Sequence, residues 1–150
     1  MNNMSREDAL EINRKYIKRD FPDSQKFTLP QPKTQPSRKG AYIVTEDYHV
    51  KDDELGFDFV IPKGWEYDGA SIPRFWWRVI GSPFLAEFQG GCLPHDYLYR
   101  MLICERKLAD QLMKKRLLLS DVSKARAGLM YRAVRIGGGS RWRENRDTLH

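Results

Sequence analysis

The chain has 150 residues, with 26 Lys and Arg against 20 Asp and Glu, a formal net charge of +6. Apolar residues make up 41% and aromatics 12%, too many for wholesale disorder. The length suits one domain that buries about 68–70% of its unfolded surface. No apolar run approaches the roughly 20 residues a membrane-crossing helix needs, and the segment Met1–Asp8 lacks the layout of a secretory signal. Two cysteines, Cys92 and Cys104, fall short of a secreted disulfide framework, so reduced thiols in a cytoplasm, or in a particle assembled there, are expected.

Charge is distributed unevenly. Arg100 to Arg146 holds 13 Lys and Arg against 4 Asp and Glu, whereas Glu46 to Asp58 carries six acids and one Lys. The basic region is read either as a solvated helical face or as a surface for an anionic partner.

Residues 4–20 predict a short amphipathic helix, with Ser5 as N-cap and Glu7 and Asp8 in the first turn, where the helix dipole favours acids. Phe21 to Lys39 contains Pro22, Pro30, Pro32 and Pro36 among polar residues, the composition of an extended linker. Residues 1–40 are therefore expected to be an arm outside the core, which either wraps a neighbour or folds back. Strand signals follow: Ala41-Tyr42-Ile43-Val44, then Phe57-Asp58-Phe59-Val60-Ile61, with Asp52-Asp53-Glu54-Leu55-Gly56 as the turn of a hairpin or meander. Phe75-Trp76-Trp77 is expected in the core.

The remainder predicts helices. One runs from His95 to about Leu102 with Pro94 in its first turn. A second runs from Arg106 to Leu119. A third, Asp121 to Ile136, is capped by Ser120 and ended by Gly137-Gly138-Gly139. The fold class is α+β: a small antiparallel sheet followed by a three-helix layer. Residues 41–143 form the core domain and 144–150 a C-terminal tail.

Three pieces carry the candidate chemistry: Tyr67-Asp68-Gly69-Ala70-Ser71-Ile72-Pro73-Arg74, His95-Asp96-Tyr97-Leu98-Tyr99, and Arg106 with Ala109-Asp110. Asp110 shares a helical face with Met113 and Leu117, so its carboxylate points to the core edge and needs a partner. His95 lies on one face with Tyr99 and Leu102 in the preceding helix, which a short loop turns back antiparallel. A His95–Asp110 contact is expected. Such a pair is the core of a general base, in which the carboxylate sets the tautomer of the imidazole. It is equally the centre of a buried polar network, with Asp68, Ser71, Asp96, Tyr99 and Arg106, that rigidifies a core. Asp96 points off the His95 face and suits a hard cation such as calcium. Cys92, His95 and Cys104 make only three of the four ligands a closed zinc site wants.

The His-Asp helix start, the Tyr four residues on and the Asp of the antiparallel helix resemble the secretory and parvoviral phospholipases. That resemblance implies His95 activating water, Asp110 orienting it, and Asp96 holding calcium beside a loop built from Asp68-Gly69-Ala70 with Gly64 upstream. The multiple disulfides of the secreted enzymes are absent. All the pieces in order, Gly64-Trp65, Asp68 to Pro73, His95 to Tyr99, Arg106, Ala109-Asp110, Met130-Tyr131 and Val134-Arg135, closely resemble an uncharacterised domain family of tailed bacteriophages and prophages. This second resemblance spans about residues 41–143. It implies a phage origin and lends no activity.

The expectation is a phage-encoded binding or structural protein without a cofactor. It would be made in the host cytoplasm and incorporated into the particle, with residues 1–40 engaging a neighbouring virion subunit. The alternatives are a calcium-dependent hydrolase using His95, Asp110 and Asp96, and a cytoplasmic effector directed at the host.

Overall fold

The computed structural model describes residues 29–37, 41–69, 72, 74–82 and 84–148. The helix expected over 4–20, and Ala70, Ser71 and Pro73 of the motif loop, lie outside the described residues.

Alternation of apolar and polar residues builds a hairpin from β3 (Tyr48–Asp52) and β4 (Phe57–Ile61). Tyr48, Val50 and Asp52 face inward and His49 and Lys51 outward, the period-2 pattern of a half-buried strand. Val50 stands opposite Phe59, and Tyr48 opposite Ile61. The turn between them is the expected one. Asp52 Oδ1 accepts from Leu55 N at 2.8 Å, and Gly56 takes a φ of 78° that an L side chain rarely adopts. Its partner strand differs from expectation: Tyr42–Val44 (β2) belongs to a second sheet, between β1 (Thr34–Pro36) and β5 (Glu66–Tyr67), all antiparallel.

Membership of β1 in that sheet moves the edge of the folded unit upstream of Ala41. Gln31 ties the extended segment down by accepting from Gly90 N at 2.9 Å and donating to Ser120 Oγ at 2.8 Å. Thr34 Oγ1 donates to Gln89 Oε1, and Tyr48 Oη to Pro30 O. Residues 29–37 thus lie on the core, the fold-back alternative for this part of the expected arm. A shallow groove beside them is lined by Leu29 to Thr34 with Ala86 and Gln89.

A 3-10 turn (Arg74–Trp76) runs into the one-turn helix α1 (Trp77–Ile80), followed by α2 (Ala86–Met101), α3 (Arg106–Leu119), α4 (Lys124–Gly137) and α5 (Gly139–Thr148). The second predicted helix, α3, has the expected bounds. Helix α2 begins nine residues before His95 and runs through Pro94, contrary to the expectation that Pro94 opens it. Pro94 has no N–H for the Gly90 carbonyl one turn back, and the buried Arg116 fills the gap, donating from Nε to Gly90 O at 2.6 Å. The other arm of that guanidinium donates to Tyr48 Oη at 2.6 Å, so one side chain of α3 joins the broken helix to the hairpin. Gly91 lets the helices meet closely: a Cβ there would lie 2.9 Å from Leu117 Cγ and 3.0 Å from Met113 O.

Two caps differ from the sequence reading. Ser120 ends α3, donating from Oγ to Arg116 O at 2.9 Å, while Ser123 caps α4 by accepting from Arg126 N. Asp121 between them has a φ of 60°, which breaks the expected continuous helix from 121. The glycine triplet ends α4 but the chain resumes as α5, so residues 144–148 are helical rather than a tail. Asn145 Nδ2 donates to Tyr99 O at 2.9 Å, and Trp142 packs edge-on against the Tyr99 ring. The result is α+β, two small antiparallel sheets against a layer of helices, with Tyr67, Phe88, Leu93, Leu98, Tyr99, Leu112, Met113, Leu117 and Met130 at its fully buried centre.

Candidate functional site

His95 and Tyr99 occupy successive turns of α2, and Asp110 sits opposite them on α3. Antiparallel packing of these helices sets His95 Nε2 2.6 Å from Asp110 Oδ1, as the shared helical faces implied. Tyr99 Oη donates to the same oxygen at 2.7 Å. The second oxygen accepts from Arg135 Nη1 of α4 at 2.8 Å and lies 3.9 Å from Arg106 Nη1. The Arg106 guanidinium also donates to the carbonyls of Val134 and Arg135, near the C-terminal end of α4 where the helix dipole is negative. Three helices therefore converge on one carboxylate.

The side chains of His95 and Asp110 are both fully buried. Burial alone would push the Asp110 carboxyl up, but the hydrogen bonds from His95, Tyr99 and Arg135 and the nearby positive charge hold it below the ordinary carboxylate range. An ionised carboxylate only accepts, so Nε2 of His95 carries the hydrogen in this bond. Tyr99 is pushed well above the usual phenol range by burial and by the facing Asp110 charge. The group is saturated: three donors, one carboxylate and no solvent-exposed atom of the imidazole.

Asp96 belongs to a different cluster, because adjacent residues on a helix point about 100° apart. Its carboxyl is 2% exposed and pushed up to about 7, by burial first and then by the neighbouring Asp68. Among the described residues Oδ2 has no hydrogen-bond partner, and Arg100 Nη1 lies 3.7 Å from it. Arg100 donates to Glu66 O and lies over the Trp65 ring. Asp68 is half exposed, 3.9 Å from Arg141 Nη2. The expected single network of Asp68, Ser71, Asp96, Tyr99 and Arg106 is thus divided. Tyr99 and Arg106 join Asp110, Asp68 and Asp96 form their own group, and Ser71 lies outside the described residues.

The calcium reading fits this second cluster poorly. Calcium takes six to eight oxygens, whereas here two carboxyls share their surroundings with two guanidinium groups. Among the described residues no group of three or more His, Cys, Asp or Glu side chains is arranged to hold a metal. Cys92, one of three zinc ligands considered, instead donates to Met130 Sδ in the core. Sequence reasoning missed Arg116 and named Arg135 only as part of the family motif, without its bond to Asp110: an arginine in a basic helix carries no pattern that marks it as buried or bridging.

The chain is 39% identical over 56 residues to "Uncharacterized protein y4jT" of Sinorhizobium fredii (strain NBRC 101917 / NGR234). That stretch is 37% of this chain and 15% of the relative, so the chain spans only a small part of that protein. No solved structure matches. Residues 42–134, from β2 through the Arg106 contact at Val134, match the family described as "Protein of unknown function (DUF1353)", and the chain belongs to that family.

Proposed function

We propose that the protein is a phage-encoded binding or structural component, built into the particle, in which the His95–Asp110 cluster is a lock between helices rather than a catalytic pair. The observation that carries this reading is the saturation and burial of the cluster. A general base must reach the proton it removes, directly or through one water, and the His95 side chain is fully buried, so neither ring nitrogen meets solvent. Polar networks of this kind, fully satisfied, rigidify a unique core.

The phage assignment rests on the motif order from Gly64 to Arg135. The docked segment 29–37 supports a role for the N-terminal region at a subunit boundary, because β1 is an edge strand of its sheet among the described residues. The test is quantitative mass spectrometry of purified particles from an induced lysate. A fixed copy number per particle, lost with the gene, is expected. Absence from particles, together with turnover of an ester or phospholipid that His95→Gln abolishes, would contradict the reading.

A further inference from the structure

The run Phe75-Trp76-Trp77 was expected in the core, yet the structure turns Phe75 outward and leaves both tryptophans half-buried. Phe75 and Val79, four residues apart, are each 66% exposed. Arg74 and Arg78, with the same spacing, are exposed too, and neither has an ion-pair partner among the described residues. Trp76 and Trp77 lie half-buried beneath them. Phe75 rests against Trp76 with ring centroids 4.8 Å apart, and the Arg74 guanidinium lies 5.5 Å from the Trp77 ring. Trp77 Nε1 donates to Ile72 O, and Arg126 donates to Ile80 O, so the segment is held from below while Arg74, Phe75, Arg78 and Val79 stay exposed.

We infer that residues 74–79 are a docking surface for an anionic lipid bilayer. This goes beyond the proposed structural role. Charge points to the occupant: no Asp or Glu occurs between Asp68 and Glu87, and those two are already opposed by Arg141 and Arg126. What remains is two exposed cations, neither in an ion pair among the described residues, flanking an apolar tip. Aromatic and aliphatic side chains beside Arg on a short amphipathic element suit the headgroup boundary, where rings sink into the acyl edge and guanidinium groups stay at the phosphates. A protein partner would be expected to bury the tip in a groove of its own. A nucleic acid would reward the arginines but leave Phe75 and Val79 in water.

The experiment is sedimentation of the full chain with sucrose-loaded vesicles, of phosphatidylcholine alone or with a quarter phosphatidylglycerol. Binding to the anionic vesicles that weakens as salt rises is expected, with little binding to the neutral ones. Phe75→Ser with Val79→Ser should weaken partition by at least about tenfold. Arg74→Gln with Arg78→Gln should weaken it by about twentyfold. All four side chains are exposed, so thermal melts of both variants should stay close to the parent. Ile136→Ser, which removes a 78% exposed apolar side chain elsewhere, should leave partition unchanged. Equal binding to both vesicle types, no binding at all, undiminished binding by either double variant, or an equal loss with Ile136→Ser would overturn the assignment. So would retention of an oligonucleotide through these residues without retention of vesicles.

Discussion

Replacing Asp96 with Asn should make the protein more stable above neutral pH, although the residue is buried. Its carboxyl titrates at about 7 in the fold against 3.8 ordinarily. Between those values the native state holds a proton that the unfolded chain has released, so stability falls as pH rises through that window. Three pH units at about 1.4 kcal/mol each amount to about 4 kcal/mol lost between pH 4 and pH 7. Asp110 and Asp52 are shifted downward instead. Their contributions are present above the ordinary carboxylate range and lost only as pH falls below it, outside this window. Asn keeps the shape and a donor toward Asp68 but cannot ionise. Urea unfolding of both proteins at pH 5 and pH 8 measures the effect. At pH 5 the Asp96→Asn variant should lead by only about 1.5 kcal/mol, and at pH 8 by up to about 4 kcal/mol. A parent equally stable at both pH values, with no gain in the variant at pH 8, would refute the buried, Asp68-coupled carboxyl described above.

Asp110→Ala strips His95, Tyr99 and Arg135 of their shared acceptor and should cost about 3–5 kcal/mol in denaturant unfolding; a surface aspartate would cost about 0.5 kcal/mol. Arg116→Leu orphans the Gly90 carbonyl and takes one donor from the Tyr48 hydroxyl, which keeps its own bond to Pro30 O, and should cost about 2–4 kcal/mol. Pro94→Ala should recover part of that loss, because an alanine supplies the backbone N–H that Gly90 O lacks, and a double-mutant cycle reads the coupling. A fragment beginning at Ala41 lacks Gln31 and β1, so its melting temperature should fall below that of a fragment beginning at Leu29; equal melting would return residues 29–37 to the status of a loose arm.

The pairing at the site was legible because it rests on helical periodicity. His95 and Tyr99 fall on one face of α2, Asp110, Met113 and Leu117 on one face of α3, and a short loop leaves them little choice but to meet. Helix α2 itself was half hidden. Gly90, Gly91 and Pro94 each depress helix propensity, and what offsets them, the Arg116 donor and the close approach of Leu117, comes from elsewhere in the chain. Strand β3 was masked by charge: His49, Lys51 and Asp52 interrupt its apolar signal, although Tyr48 and Val50 keep the alternation. The aromatic run at 75–77 carries no periodicity that separates an inward ring from an outward one. The split of His95 and Asp96 into separate clusters follows from helical geometry, whereas the arginines that finish each cluster become visible only when α4 and α5 are in place.

The structural reading of the central cluster is tested most directly by the unfolding free energy of His95→Gln, measured in urea at pH 7. As a lock between α2 and α3, His95 fills a fully buried position and donates to a charged acceptor, so the variant should lose about 1–3 kcal/mol even though Gln can keep one hydrogen bond. A variant as stable as the parent would mean that the imidazole contributes nothing to the packing of these helices, and the structural account of His95 and Asp110 would fail.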